Sequence, residues 1–208
     1  MSSDARMRLF VAVELPEQWR DAARRARREL ERELPAEAAE RLRWVDPALM
    51  HLTLRFIGEV DQAQLAPLQA VLDGCGDIDV ALSLRAAGTF GPAARTQVLW
   101  LAVEGGEPLA ALAARVEVAV ASTGAPGDGR AFRPHLTMAR VHRRASKGER
   151  RVIAGGVDAL DAPPPSPFRA RSVVLVRSHL GAAGPRYETL SRHGEAGGEA
   201  GGEATGEA

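Results

Sequence analysis

The chain is short of the residues that staple, span or strongly charge a protein. It has one cysteine, Cys75, set between Gly74 and Gly76. An intramolecular disulfide, a CxxC redox pair and a zinc site with two thiolates are therefore excluded, and the thiol reads as incidental. Aromatic residues make up only 4%, with a single tyrosine. No run of 18 apolar residues occurs, which excludes an α-helical membrane span. Met1 to Leu9 shows no basic region, apolar core and cleavage site in succession, so the expected location is the cytoplasm. Net charge is also lacking, because 27 Lys plus Arg balance 27 Asp plus Glu. That excludes a nucleic-acid binder held by bulk charge alone. Lys147 is the only lysine, so arginine carries the positive charge. Arginine favours bidentate phosphate contacts, although a compositional drift from Lys to Arg is the simpler reading.

What is present suits a globular protein. A length of 208 residues, 45% apolar and 26% charged, fits one ordinary domain or two small lobes sharing a core. The expected division is one bilobal domain over residues 1–193 and a disordered Gly/Glu/Ala-rich tail over 194–208. The tail holds Glu195, Glu199, Glu203 and Glu207 and no base, so the body is mildly positive. No strong apolar external face stands out, which favours a monomer.

Strands are expected at Met7–Leu15, Leu42–Val45, Met50–Ile57, Asp79–Ala87, Gln97–Val103, His135–Val141, Arg171–Ser178 and Arg186–Leu190. Trp19, Ala22, Ala23, Ala26, Leu30 and Leu34 recur at helical spacing and end near Pro35. Leu65 to Leu72 forms a second helix, Pro108 opens a third, and Arg144–Ile153 makes a short fourth. Ser122–Arg130 is a glycine-rich loop without the GK[ST] of a phosphate-binding P-loop, and Ala162–Pro167 is stiff and extended. The order mixes helices with sheet strands, so the fold class is α+β.

The chemistry concentrates in a duplicated tetrapeptide. His51-Leu-Thr53-Leu and His135-Leu-Thr137-Met each fall on an expected strand. Residues i and i+2 of a strand share a face, so each copy presents one imidazole and one hydroxyl together. By strict alternation Arg55 joins His51 and Thr53, while Leu52, Leu54 and Phe56 face the core. If the lobes pack about a pseudo-twofold axis, two histidines and two threonines meet in one cleft. One imidazole then takes a proton from water while the other gives one to a leaving oxygen. The hydroxyls donate to phosphoryl oxygens. A single H-x-T is ordinarily a half-buried pair with no catalytic role; two near-identical copies favour function. Two histidines with an acidic third ligand would suit zinc, but the neighbours are Arg55, Arg133 and Arg140, which favour an anion.

These stretches resemble the two-histidine phosphoesterases, specifically the RNA 2',3'-cyclic phosphodiesterases also called 2'-5' RNA ligases. The resemblance rests on MRLFVAVELP (Met7–Pro16), RWVDPALMHLTLRFIGEV (Arg43–Val60), TFGPAARTQVLWLAV (Thr89–Val103), FRPHLTMARV (Phe132–Val141) and VVLVRSHLGAAGPRYETL (Val173–Leu190). It covers about residues 7–192. It implies a bilobal fold with a central groove and no cofactor or divalent metal. It also implies hydrolysis of RNA-terminal or nucleoside 2',3'-cyclic phosphates to 2'-phosphomonoesters, with reversible 2'-5' ligation. His51 then resembles the proton donor, His135 the general base, and Thr53 and Thr137 the phosphate donors. Arg55, Arg133, Arg140 and Phe132 are further candidates for substrate contact, each with a structural alternative: solvation for Arg133 and Arg140, a salt bridge for Arg55, core packing for Phe132. Tyr187 and Arg186 close the sheet, His142 and His179 are ordinary surface or core residues, and Trp44 and Trp100 belong to the core. A non-catalytic RNA-end binder, or a phosphodiesterase for another small cyclic or 2'-5' linked substrate, is the competing reading.

Overall fold

The computed structural model describes residues 6–125, 129, 131–181 and 184–194. The expected tail, apart from Gly194, lies outside the described residues, as do parts of the Ser122–Arg130 loop and of the turn before Pro185.

Nine strands and five α-helices are seen among the described residues: β1 (Met7–Glu14), α1 (Glu17–Glu33), α2 (Ala36–Ala39), β2 (Leu42–Trp44), β3 (His51–Val60), α3 (Leu65–Asp73), β4 (Val80–Phe90), β5 (Val98–Glu104), α4 (Gly106–Ser122), β6 (His135–Val141), α5 (Lys147–Asp158), β7 (Phe168–Ala170), β8 (Ser172–Gly181) and β9 (Gly184–Gly194). The short elements α2 and β7 add to those expected. Helix α5 begins at its Ser146 cap, not at Arg144, and runs on to Asp158. Its start follows from chemistry: the Ser146 hydroxyl accepts from the Glu149 amide and Glu149 accepts from the Ser146 amide, a reciprocal cap.

The strands form two sheets, ordered β3-β1-β8-β9 and β2-β6-β5-β4-β7, with antiparallel neighbours throughout. Setting β2 aside, the orders correspond strand for strand. In each sheet a strand, a 17-residue helix and a histidine strand follow in sequence: β1-α1-β3 in one, β5-α4-β6 in the other. The repeats are interleaved. The strand after the first repeat, β4, pairs with β5, and the strand late in the second, β8, pairs back with β1. Neither lobe is therefore one contiguous stretch of chain.

The main core holds Met7, Leu9, Val11 and Val13 from β1 with Trp19, Leu30, Leu52, Leu68, Leu101, Leu112 and Leu136. The opposite face of β1 carries Phe10 and Ala12, which pack with Val174, Val176 and Tyr187 in a smaller cluster. That second face is the one that meets His51, through Phe10 and Tyr187. The Ala162–Pro167 segment forms no regular structure and is held to α1, the Trp19 indole N–H donating to the Ser166 carbonyl at 2.8 Å. His193, buried in β9, meets Asp73 of α3 at 2.6 Å and Ser191 at 2.8 Å, tying the last strand to the helix layer.

Candidate active site

The two HxT motifs fold alike in more than backbone direction. Along β3, Leu52 and Leu54 are buried while His51 and Thr53 are half-buried. Along β6, Leu136 and Met138 are buried while His135 and Thr137 are half-buried. Alternating anchors in the core fix the presented pair, as the two-residue strand period requires.

Each strand then bulges at the same point. Thr53 pairs with Ala12 and Arg55 with Val11, so Leu54 is an extra residue. Thr137 pairs with Trp100 and Ala139 with Leu99, so Met138 is an extra residue. A bulge reverses the facing of everything beyond it. Arg55 therefore does not share the histidine face. It turns to the core side, 2% exposed, and ion-pairs with Glu117 of α4. Phe56, expected in the core, instead emerges at 36% exposure and lies 5.9 Å from Phe10, centroid to centroid. At the equivalent place in the second motif stands Arg140, exposed. Among the motif arginines it is Arg140 that shares the histidine face.

Both imidazoles are held by one local device. His51 Nδ1 lies 2.9 Å from the Leu49 carbonyl, and His135 Nδ1 lies 2.6 Å from the Arg133 carbonyl. A carbonyl only accepts, so each Nδ1 is the protonated nitrogen and each Nε2 carries the lone pair of the neutral ring. The Pro47–Leu49 turn that aims the first carbonyl is capped by Asp46, whose side chain accepts from the Ala48 amide at 2.9 Å.

Aromatic rings brace the pair. His51 stacks on Phe10 at 4.5 Å and meets the edge of Tyr187 at 5.2 Å. His135 meets Phe90 edge-on at 4.8 Å, and Phe90 leans on Trp100 at 5.4 Å. Trp100 lies across the Cβ-less face of Gly88, its cross-strand partner. It is half-buried at the site rather than in the core. Trp44 is also half-buried but packs against the main core as expected, with Arg27 over its ring at 5.2 Å. Because a methyl group at Gly88 would overlap the indole, Gly88→Ala is expected to shift the Trp100–Phe90–His135 stack. The expected cost is about 1–3 kcal/mol of stability, as for overpacking, with a fall in kcat larger than any change in KM. Urea unfolding and steady-state kinetics on the same preparation measure both.

Burial is the main influence on each histidine, and it lowers both pKa values below the ordinary 6.5. The carbonyl bonds oppose this. The charge of His135 lowers His51 further, and that of Arg140 lowers His135 further. The two imidazoles thus repel a second proton, and the site holds one more readily than two. The Tyr187 hydroxyl is pushed up by burial, against the smaller downward pull of the Arg140 and Arg8 charges. It stays a neutral donor beside His51. Tyr187, Phe10 and Phe90 were missed from the sequence as site residues; the single tyrosine of an aromatic-poor chain was the available signal.

A cavity of about 850 Å³ opens beside His135 and Thr53, lined also by Arg133, Phe56, Phe90, Phe132 and Glu117; His51 and Thr137 are not among its lining residues. Arg133, Phe132 and Arg55, each expected as a candidate substrate contact, are among the residues that line this cavity. His142 accepts from the Arg144 amide at 3.3 Å, and His179 pairs with Glu188 at 2.7 Å on the β8–β9 hairpin. Neither is placed at the cavity. Among the described residues no group of three His, Cys, Asp or Glu stands close enough to hold a metal ion, and no helix is long and apolar enough to cross a membrane.

Comparison with known proteins agrees with this geometry. The family model described as the 2'-5' RNA ligase superfamily matches residues 15–182. An RNA 2',3'-cyclic phosphodiesterase of Methanothermobacter thermautotrophicus is 29% identical over 184 residues, covering 88% of this chain and 95% of the relative. A crystal structure from Thermus thermophilus superposes with a TM-score of 0.73 at 26% identity, covering 90% of this chain and 97% of that one. The Escherichia coli LigT structure complexed with 3'-AMP gives a TM-score of 0.70 at 25% identity, covering 91% and 98%.

Proposed function

Since the chain belongs to the 2'-5' RNA ligase superfamily of two-histidine phosphoesterases, we propose that it hydrolyses RNA-terminal or nucleoside 2',3'-cyclic phosphates to 2'-phosphomonoesters. Kinship supports RNA 2',3'-cyclic phosphodiesterase activity in general terms. The observation that carries the finer reading is the matched orientation of the two imidazoles, each with Nδ1 spent on a backbone carbonyl and Nε2 left for chemistry.

His135 Nε2 takes a proton from water as its oxygen attacks phosphorus. The P–O3' bond breaks, and His51 Nε2–H delivers a proton to O3'. The cyclic diester becomes a 2'-phosphate and a free 3'-hydroxyl, with the proton now on His135 instead of His51. Exchange with solvent restores the starting state. Thr53 and Thr137 donate to the phosphoryl oxygens as charge builds there. Run backwards with a 5'-hydroxyl in place of water, the same steps would form a 2'-5' bond. No step needs a metal, and activity in excess EDTA is expected. The working form is proposed to be a cytoplasmic monomer.

Catalysis by this pair requires one proton shared between two histidines. Activity rises as pH climbs through the lower pKa of the pair and falls through the upper one. Burial places both below the ordinary histidine value, helped by the charge of His135 at His51 and that of Arg140 at His135. The kcat/KM profile is therefore expected to be a bell with its maximum on the acidic side of pH 7. The kcat maximum should lie higher, because a bound phosphodiester anion favours the imidazolium. A flat kcat/KM profile from pH 6 to 9 would contradict two-histidine acid–base catalysis.

A further inference from the structure

The proposed reaction leaves the greater part of the 850 Å³ cavity unexplained. Of the two motifs, Thr53 and His135 border this cavity, and a cyclic phosphate held by them occupies only a small part of it. The remainder has a built character of its own. Helix α4 turns Ala110, Ala114 and Glu117 toward it, at the three- and four-residue spacing of one helix face. The alanines keep that wall flat and shallow. Phe56, Phe90 and Phe132 supply ring surfaces on the other sides. Phe56 is there only because the β3 bulge brings it out of the core. An apolar slot with aromatic walls next to a phosphate site is the shape that takes a planar base.

One acidic group stands on this wall. Glu117 is 43% exposed at its side chain and is tied to the cavity floor by Arg55, itself 2% exposed. The ion pair fixes the carboxylate without enclosing it. A carboxylate can only accept hydrogen bonds. It suits a base edge with two adjacent donors and disfavours an edge that also presents an acceptor. Among the four RNA bases only guanine offers two adjacent donors, N1–H and the N2 amino group. Adenine and cytosine place a ring acceptor beside their amino group, and uracil flanks its N3–H with two carbonyls. Each of those turns a lone pair toward the charge.

Resting on the hydrolysis proposed above, the geometry points to this cavity as the subsite for the base of the terminal nucleotide, with Glu117 selecting guanine. The base lies between the Phe walls and the alanine face of α4, and its Watson–Crick edge meets the carboxylate. The phosphate then reaches Thr53 and His135 at the other end of the same cavity. Glu117 is a specificity residue and takes no part in proton transfer.

The test compares guanosine, adenosine, cytidine and uridine 2',3'-cyclic phosphates on the full chain. The wild type is expected to favour guanosine over uridine by about tenfold or more in kcat/KM, the discrimination one base-edge contact supplies. Glu117→Gln, which turns one acceptor into a donor, is expected to cut that ratio to about threefold or less. It should also raise the relative rate on adenosine, whose donor and acceptor match the amide. As a second variant, Ala114→Leu fills the slot from an exposed helix position where leucine is a good helix former. It is expected to raise KM several-fold for all four substrates with a smaller change in kcat. Four substrates turned over within twofold of one another, a ratio unmoved by Glu117→Gln, or a KM indifferent to Ala114→Leu would overturn the inference and leave the proposed hydrolysis standing. Failure to hydrolyse any of the four or an RNA end bearing the cyclic phosphate would overturn the hydrolysis, and the base subsite with it.

Discussion

His51→Ala and His135→Ala are each expected to lower kcat by at least about 10²-fold, the least that a lost acid or base costs. The two roles act on one transition state, so the double variant should be little worse than the worse single one. The structure argues against a trivial cause for such losses. Both rings are half-buried and each makes one backbone contact, at Leu49 and Arg133. The strands are anchored instead by Leu52 and Leu136, both fully buried. The two losses should differ with the leaving group. A substrate whose leaving oxygen is already a good one needs no proton from His51, so His51→Ala should recover most of its turnover there. His135→Ala, lacking the base, should not. Turnover within a few-fold of wild type for either variant on the cyclic phosphate would remove that histidine from the mechanism. Thermal unfolding of each variant alongside the kinetics separates a chemical loss from a folding defect.

Thr53→Val and Thr137→Val are expected to follow with losses of about 10²-fold each in kcat. Valine keeps the β-branched shape that the strand favours and removes only the hydroxyl. A single preorganised donor to a developing oxyanion is worth about 10²–10³-fold, and both threonines are only half-buried, which places them at the lower end. Thr→Ser should restore much of the rate, since serine keeps the donor. Equal losses for Val and Ser would point to packing instead.

The sequence made the site's centre legible and its periphery misleading, for one physical reason. Periodicity of two on a strand is reliable only while the ladder is regular. It placed His51 with Thr53 and His135 with Thr137 correctly, because both pairs precede the bulge. It then carried the parity past Leu54 and so put Arg55 on the histidine face and Phe56 on the core face, the reverse of what the bulge produces. Arg55 nonetheless makes the salt bridge that was its alternative and still borders the cavity. Nothing in LTLRF announces an extra residue, since the bulged leucine is itself a good core residue. The helices α1, α3 and α4 followed from their apolar spacing. The three-residue β7 did not, being a short edge strand whose pairing with β4 is set by the fold. The interleaving of the repeats was also hidden, because strand exchange between lobes leaves each local pattern unchanged. The bracing rings Phe10, Phe90 and Tyr187 come from three separate strands, and only the packed sheets gather them around the histidines.

The measurement that tests the account most directly is the identity of the product end. Purified protein in excess EDTA is incubated with an RNA oligonucleotide ending in a 2',3'-cyclic phosphate, and the terminus is read by mass and against 2'- and 3'-phosphate standards. His51 as donor to O3' and His135 as base for water predict a gain of one water and a 2'-phosphate. A 3'-phosphate, or an RNA end left intact until a divalent metal is added, would contradict the two-histidine mechanism as assigned.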